Sequence, residues 1–259
     1  MEKILEVKNI SGGYGSVQIL NGIDLTVYKS EFVTIIGPNG CGKSTFIKVI
    51  FGIANLYQGD IIYKNEDITG IRADSLVKKG IGYVPQIDNV FPSLTVEENL
   101  QMGGLNLSRI EIDERIGQVY DIFLNIKQKP YHLAESLSGG ERQMLAISRV
   151  LISNPSFIMF DEPTAALSPK FREMILEKIS DLRKMGITVL IVEQNARASL
   201  AMSDRGYIFS NGKVVHTSDA GNMLNDDDIG KYFLGNTVIR DTLIPIYARA
   251  NFLKRIDSV

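Results

Sequence analysis

Residues 37–45, GPNGCGKST, decide the fold class of this chain. They fit the pattern G-x-x-x-x-G-K-[ST] of a phosphate-binding loop, in which glycines let backbone N–H groups curl around phosphate oxygens. The apolar run EFVTII (31–36) precedes the motif as a strand, and FIKVIFG (46–52) follows it as the start of a helix. The N-terminus of such a helix favours an anion. The alternative, a glycine turn that matches by chance, does not explain this flanking strand and helix.

The motif also predicts individual roles. Lys43 is expected to reach the β- and γ-phosphates of a nucleotide, and the Ser44 hydroxyl is expected to bind Mg²⁺. The predicted phosphate-binding set is Gly37, Pro38, Asn39, Gly40, Cys41, Gly42, Lys43, Ser44 and Thr45. Cys41 is the only cysteine, so no internal disulfide is possible and we expect a reducing compartment. Cys41 is otherwise a tolerated small residue, and its alkylation should block nucleotide binding sterically.

FIMFDEP (157–163) carries two acids after a buried strand. At the end of a strand beside a phosphate-binding loop, the Asp161 carboxylate can hold Mg²⁺, often through water. Glu162 can polarise an attacking water molecule. Two solvated acids at a strand end are the alternative. The nearby phosphate-binding loop favours the chemical interpretation.

Two further stretches point to phosphate. LSGGERQMLAISRVLISNP (137–155) begins with Ser138, a helix cap, and with two glycines that leave N–H groups exposed in the first helical turn. A second anion-binding helix start is needed only if one nucleotide is held from two sides. ITVLIVEQN (187–195) is a buried strand followed by three polar residues, and open α/β sheets bind ligands beyond the carboxyl ends of their strands.

The remaining pattern predicts an α/β core with a helical insertion at about 93–136. Strands are expected in ILEVKNI (4–10), GIDLTVY (22–28), GDIIYKNEDI (59–68, with a turn at 64–67) and IGYVPQ (81–86). TVEE (95–98) has the spacing of a capping box, and SRIEIDERIGQVYDIFLNI (108–126) is the clearest amphipathic helix. A helix is expected at about 170–184, and RGYIFSNGKVVH (205–216) predicts a hairpin that turns at Asn211-Gly212.

Composition excludes several classes of protein. The chain has 259 residues, 44% hydrophobic and 22% charged, and its net charge is −2, so no affinity for nucleic acid or an anionic surface is expected. The start, MEKILEVKNI, lacks the apolar core of a secretory signal. No apolar run reaches the roughly 18 residues that a membrane span needs. Any membrane role is therefore expected to go through a partner.

Together these motifs make the sequence resemble the ATP-binding cassette (ABC) ATPases over about residues 3–235. LSGGE is similar to the family signature, which is usually LSGGQ. The resemblance implies an α/β fold, with a P-loop NTPase core, an antiparallel β subdomain and a helical signature-motif subdomain. It implies an ATPase domain at 1–235, with the helical subdomain inserted at about 93–150, and a C-terminal extension at 236–259. ATP and Mg²⁺ are the implied cofactors.

In that family two cassettes dimerise head to tail, and the signature of one closes over ATP on the phosphate-binding loop of the other. The residues carried over to this role are Ser138, Gly139, Gly140 and Glu141. Tyr14, in GGYGSVQIL (12–20), would stack on adenine; otherwise it is an aromatic side chain at a strand edge. Gln86, in YVPQ (83–86), would contact Mg²⁺ and the attacking water and sense the membrane subunit; otherwise it is a loop amide.

The sequence departs from the family at two positions. The loop after the catalytic glutamate, TAALS (164–168), has Ser168 where most members have aspartate, which puts coupling through that residue in doubt. Gln194 stands where most members have a histidine that contacts the γ-phosphate. A neutral amide makes a bond roughly half as strong to a phosphate oxygen, which predicts a slowed site that still works. Neither His132 nor His216 is placed to substitute.

VEQN (192–195), MLAISR (144–149), FPSLTVEENL (91–100) and DRGYIFSNGKVV (204–215) resemble one subgroup, the ATPase subunits of branched-chain amino acid importers. The resemblance implies the second, glutamine-bearing cassette, cytoplasmic and peripheral on the inner face of the membrane. The implied partners are a second ATPase subunit, two permease subunits and, indirectly, a solute-binding protein. A urea or short-amide importer, a soluble cassette ATPase and a P-loop kinase are the rivals.

The last 23 residues, TVIRDTLIPIYARANFLKRIDSV (237–259), extend beyond the usual end of these relatives near YFLGN (232–236). Four basic side chains are interleaved with Leu, Ile, Tyr and Phe. The segment either docks on a partner or membrane surface, or packs on its own domain or frays.

Overall fold

The structure is a computed structural model, and it describes residues 1–225. The segment 236–259 therefore lies outside the described residues. In chain order the strands are β1 Lys3–Tyr14, β2 Val17–Tyr28, β3 Phe32–Ile36, β4 Asn55–Tyr63, β5 Glu66–Asp67, β6 Ile81–Val84, β7 Phe157–Asp161, β8 Thr188–Val192, β9 Arg205–Ser210 and β10 Lys213–Asp219. The helices are α1 Lys43–Ile50, α2 Ala73–Lys78, α3 Val96–Met102, α4 Arg109–Ile122, α5 Leu124–Lys127, α6 Gly139–Ile152, α7 Pro169–Lys184, α8 Ala196–Leu200 and α9 Ala220–Asn225, with a 3-10 turn at Ala134–Ser136.

Strands β2, β1, β4 and β5 form an antiparallel sheet in that order. The predicted turn at 64–67 is wrong in its extent. Only Lys64 and Asn65 turn, with φ of 49° and 63°, and the next two residues already pair as β5. Two positive φ values in succession are typical of a two-residue type I′ hairpin, which matches the twist of the flanking strands.

The second sheet of the described chain has the order β10-β9-β3-β8-β7-β6. Strands β9, β3, β8, β7 and β6 are parallel, and β10 returns antiparallel to β9. The predicted turn between β9 and β10 is confirmed, with φ of 49° at Asn211 and 74° at Gly212. Because β3, β8, β7 and β6 run parallel, the residues that follow them meet at one edge of the sheet.

Alternate residues of the parallel strands enter two different cores. Leu190 and Val192 of β8 pack with α1 and the antiparallel sheet, whereas Val189 and Ile191 pack with α6 and α7. This burial on both faces explains why the strands are continuously apolar.

The segment between β6 and β7 contains α3 to α6. Thr95 caps α3 with the predicted capping box, and Ser138 and Glu141 form another at α6. The predicted amphipathic segment 108–126 forms two helices, α4 and α5. They are separated at Phe123, where the backbone leaves helical geometry (φ −118°, ψ 71°) and the side chain is buried in the core. Within residues 1–225, no helix has the length and hydropathy of a membrane span.

Candidate functional site

The phosphate-binding loop occupies residues 37–42, between β3 and α1. Gly37, Gly40 and Gly42 have φ of 153°, 76° and 105°. At Gly37 a Cβ atom would lie 2.3 Å from the carbonyl oxygen of Phe209, so glycine is required there for steric reasons as well. The β9–β10 turn braces the loop, because Gly212 N donates to Cys41 O at 2.9 Å. The loop is thus held in shape by its own backbone and by a neighbouring hairpin.

The Lys43 side chain lies inside this loop and is buried. Its Nζ atom donates to the carbonyl oxygens of Gly37 at 2.8 Å and Pro38 at 3.0 Å. An ammonium group inside a glycine-rich loop before a helix N-terminus is suited to an anion with several oxygens, such as a polyphosphate.

Ser44 and Asp161 come together from α1 and β7. Ser44 Oγ donates to Asp161 Oδ1 at 2.6 Å, and the Tyr83 hydroxyl donates to Asp161 Oδ2 at 3.3 Å. Burial raises the pKa of Tyr83, and the Asp161 charge raises it further, so the hydroxyl stays a donor. A hydroxyl and a carboxylate beside a phosphate-binding loop fit Mg²⁺, which prefers oxygen ligands and takes one or two carboxylates plus phosphates. No cluster of three or more acidic, histidine or cysteine side chains that could hold a metal occurs in residues 1–225, and Mg²⁺ does not need one.

Glu162 follows directly and is buried, with its backbone in the left-handed region at φ 47°. Its Oε2 atom accepts two hydrogen bonds, from Gln86 Nε2 at 3.0 Å and from Gln194 Nε2 at 2.7 Å. Its Oε1 atom accepts none from the residues that the structure describes. One oxygen of this carboxylate is therefore fixed by two amides, and the other is available to a water molecule.

The strand order explains this convergence. Gln86 lies two residues beyond β6, Glu162 lies one residue beyond β7, and Gln194 lies two residues beyond β8. Since these strands are adjacent and parallel, their carboxyl ends deliver the three side chains to the same edge.

A cavity of about 320 Å³ opens at this edge. Its lining consists of Ile19, Asn39, Gly40, Gly42, Lys43, Ser44, Thr45, Gln86, Glu162 and Gln194. The structure thus brings most of the loop residues together with the three residues from the sheet edge. Ile19 enters from the antiparallel sheet, and the sequence carries no signal for it.

Other predicted residues lie outside the lining of this cavity. Tyr14 is 43% exposed at the end of β1. Ser138 and Gly139 are exposed at the start of α6, and Gly140 is buried against Phe171. The Glu141 side chain forms a capping box with Ser138 and an ion pair with Lys129 at 2.7 Å. Within this chain the second glycine-rich helix start is thus separate from the phosphate-binding loop.

Glu193 is a residue to which the sequence analysis gave no role. It is buried, and its side chain accepts hydrogen bonds from the backbone N–H and the hydroxyl of Thr164 at 3.1 and 2.8 Å. The sequence did contain a sign of this placement. Successive side chains of an extended segment point to opposite faces, so Glu193 is expected on the face opposite to that of Gln194. Asn195, the third polar residue of this stretch, caps α8.

Comparisons with known proteins agree with this geometry. Residues 20–165 match the family model described as ABC transporter. A probable branched-chain amino acid transport ATP-binding protein, LivF of Archaeoglobus fulgidus, is 38% identical over 90% of this chain and 99% of its own length. The high-affinity branched-chain amino acid transport ATP-binding protein BraG of Pseudomonas aeruginosa is 37% identical over 90% of this chain and 100% of its own length. The lipopolysaccharide export system ATP-binding protein LptB of Haemophilus influenzae is 36% identical over 90% of this chain and 97% of its own length.

Solved structures give the same result. A nucleotide-free ATP-binding cassette from an ABC transporter matches with a TM-score of 0.82 and 29% identity, over 90% of this chain and 100% of that one. A dimeric cassette in a post-hydrolysis state, bound to ADP and phosphate, matches with a TM-score of 0.73 and 29% identity, over 84% and 99%.

Proposed function

The chain belongs to the ATP-hydrolysing, ATP-binding cassettes of ABC transporters, and from this premise we propose that it is an energy-coupling subunit of a branched-chain amino acid importer. Two relatives that match almost from end to end, LivF and BraG, are named for that transport. The stretches VEQN and MLAISR resemble the same subgroup. No residue of this chain needs to touch the transported solute, because the cassette supplies energy.

The observation that carries the catalytic part of the proposal is the hydrogen-bonded trio of Glu162, Gln86 and Gln194 at the edge of the cavity. Glu162 Oε1 accepts a proton from a water molecule as the water oxygen bonds to the γ-phosphorus of ATP. The bond from that phosphorus to the β–γ bridging oxygen breaks, and ADP and phosphate leave. The two amides hold Oε2 and so fix the direction in which Oε1 points. A positioned base of this kind contributes roughly 10²- to 10⁴-fold to a rate.

Lys43, Ser44 and Asp161 serve the phosphates. Lys43 donates to phosphate oxygens in place of the carbonyl groups of Gly37 and Pro38. Ser44, Asp161 and Gln86 hold Mg²⁺, which neutralises charge on the phosphate oxygens when it is bound. Tyr14 stacks on adenine from its exposed place at the end of β1.

The site is completed by a second cassette. Ser138, Gly139, Gly140 and Glu141 lie outside the cavity of their own chain, so they serve the nucleotide on a partner cassette. The dimeric relative bound to ADP and phosphate supports this arrangement. The partner is a second cassette of the same family, either a different subunit or a second copy.

Coupling to the membrane goes through the loop after β6. Directly after Gln86, which reaches Glu162, come Ile87 and then Phe91, which are 71% and 42% exposed. Exposed apolar side chains next to a nucleotide-sensing residue suit contact with a permease subunit. The chain is then peripheral, on the cytoplasmic face of the membrane, held there by two permease subunits and served indirectly by a solute-binding protein.

A second candidate function is export of a lipid-like molecule. It is favoured by LptB, whose identity of 36% is close to the 38% and 37% of the amino acid transport relatives. A urea or short-amide importer, or a cassette ATPase outside transport, uses the same nucleotide chemistry.

Co-purification separates these functions. The full-length chain is extracted from its native membranes in mild detergent, and the bound proteins are identified by mass spectrometry. The importer proposal expects two apolar membrane proteins and a second cassette. Recovery only in the soluble fraction on ribosomes or nucleic acid would contradict a transport role, and lipopolysaccharide-export partners would favour the second candidate.

A further inference from the structure

The carboxylate of Glu193 connects the two segments that carry Glu162 and Gln194. Glu193 Oε1 accepts from Thr164 N at 3.1 Å and from Thr164 Oγ1 at 2.8 Å. Its Oε2 atom accepts from Gln194 N at 3.2 Å. Its backbone N–H extends the sheet by donating to Ile35 O at 3.1 Å. The backbone of Glu193 is thus bonded to β3, and its side chain is bonded to the loop after β7.

The loop after β7, which Glu193 contacts at Thr164, has a backbone conformation that contacts from outside the loop must stabilise. Glu162 adopts a left-handed backbone conformation, and Ala166 does so again at φ 58°. Left-handed conformations are unfavourable for residues other than glycine, and they persist where surrounding contacts impose them. Within the loop, Ala165 N donates to Glu162 O at 3.0 Å and Leu167 N to Thr164 O at 3.3 Å. The start of the loop is tied to β8 by Glu162 N, which donates to Val192 O at 2.9 Å. Thr164 ties the middle of the loop to Glu193, the residue directly after β8.

Burial of the Glu193 carboxylate is unfavourable in free energy, because the charged form loses its hydration. Only 2% of Glu193 is exposed, and no lysine or arginine in residues 1–225 forms an ion pair with it. Burial raises the pKa of Glu193, and the nearby charge of Glu162 raises it further, against the hydrogen bonds from Thr164 and Gln194. A buried acid without a cationic partner beside a reactive site is a candidate for a functional role.

We propose that Glu193 is a positioning residue for ATP hydrolysis, which holds the main chain at Thr164 and Gln194 so that the Gln194 amide stays within hydrogen-bond distance of Glu162. It touches neither nucleotide nor water and acts through those two residues. The inference rests on the proposed role of Glu162 as the base. The inference also gives Thr164 a role. Of the two hydrogen bonds that Thr164 donates to Glu193, the one from the hydroxyl is the shorter.

The experiment measures phosphate release and ATP binding by the full-length chain and five variants, one of which is Glu162→Gln. Thr164→Val removes the hydroxyl at nearly constant volume, and Thr164→Ser keeps it. Glu193→Gln removes the charge and replaces one acceptor oxygen with an NH₂ group. Thr188→Val is the matched control, because Thr188 is a fully buried threonine at the other end of β8 whose hydroxyl accepts from Ser30 N at 2.9 Å.

Thr164→Val and Glu193→Gln are expected to lower kcat by about ten- to a hundredfold, since a small misplacement of a catalytic group has effects of that size. The KM for ATP and the affinity for a fluorescent ATP analogue should stay within about twofold. Thr164→Ser should keep the kcat of the unmodified chain. Thr188→Val should lower the melting temperature and leave kcat unaltered.

Two results would overturn the inference while leaving the role of Glu162 intact. In the first, Glu162→Gln is inactive and Thr164→Val and Glu193→Gln turn over like the unmodified chain. In the second, both variants lose kcat only in proportion to their fall in melting temperature, with no loss beyond that general destabilisation. A Glu162→Gln variant with full turnover would instead overturn the proposed base and, with it, this inference.

Discussion

Gln194 Nε2, two residues beyond β8, donates at 2.7 Å to Oε2 of Glu162, the residue that follows the adjacent strand β7. Gln86 Nε2 donates to the same oxygen at 3.0 Å. The carboxylate is therefore oriented by two neutral amides, and no lysine or arginine within residues 1–225 forms an ion pair with it. A neutral amide forms a weaker hydrogen bond to an anion than a charged donor does.

Replacement of Gln194 by histidine should therefore raise ATP turnover. The expected gain in kcat is about tenfold, which corresponds to about 1.4 kcal/mol of transition-state stabilisation. Steady-state phosphate release measures it, with Gln118→His on the exposed face of α4 as a control. Equal turnover before and after the change would mean that Gln194 does not contact the phosphate.

Glu162→Gln should abolish most of the turnover and keep ATP binding. The amide cannot accept the proton of the attacking water, so kcat should fall by roughly 10²- to 10⁴-fold. ATP affinity should stay within a few-fold, because the phosphate-binding loop is untouched. Persistent hydrolysis at the normal rate would exclude Glu162 as the base.

Cys41 should react slowly with alkylating reagents, and the rate should rise with pH. Burial raises the pKa of Cys41 above the ordinary range of thiols, and the nearby Lys43 ammonium opposes this only partly. Since the thiolate is the reactive form, less of it is present at pH 8 than in a free thiol, and the midpoint of the rate profile should lie at a higher pH than that of a free thiol.

The same labelling tests the predicted steric block. Because Cys41 is the only cysteine, intact mass reports its modification directly. Labelled protein should lose ATP binding, and ATP should protect the thiol, with Cys41→Ser as an unreactive control. Full ATP affinity after complete labelling would be incompatible with the steric account.

Gly139 and Gly140 should differ sharply in their tolerance of alanine. A Cβ atom at Gly140 would lie 2.3 Å from a ring carbon of Phe171, whereas at Gly139 the nearest atom is Leu167 Cδ2 at 3.5 Å. Gly140→Ala should destabilise the fold by about 1–3 kcal/mol through overpacking. Gly139→Ala should be neutral or stabilising by up to about 1 kcal/mol, because glycine is unfavourable in a helix.

Urea unfolding monitored by circular dichroism measures both changes. Adding Phe171→Leu to Gly140→Ala should recover part of the lost stability, since the smaller side chain leaves room for the methyl group. Equal unfolding midpoints for the two alanine variants would contradict the packing seen at α6.

Local patterns made much of this structure predictable. The phosphate-binding loop, the capping box at Thr95, the helix cap at Ser138 and the Asn211-Gly212 turn depend on residues close together in sequence. The meeting of Ser44 with Asp161 followed from the rule that ligands bind at the carboxyl ends of parallel strands.

Other features depend on strand order, which spacing does not encode. Nothing in the sequence states that β8, β7 and β6 are neighbours, so the shared oxygen of Glu162 could not be predicted. The break at Phe123 also escaped, because burial of one aromatic side chain outweighed a helical pattern that continues through it.

Transport by the assembled complex tests the central claim most directly. The complex that co-purifies with the chain is reconstituted into liposomes, and ATP-dependent movement of radiolabelled leucine is measured for the unmodified chain and for Glu162→Gln. We predict leucine uptake with the unmodified chain and none with Glu162→Gln at equal ATP binding. A complex that hydrolyses ATP through Glu162 yet moves neither leucine, isoleucine nor valine would contradict branched-chain amino acid import.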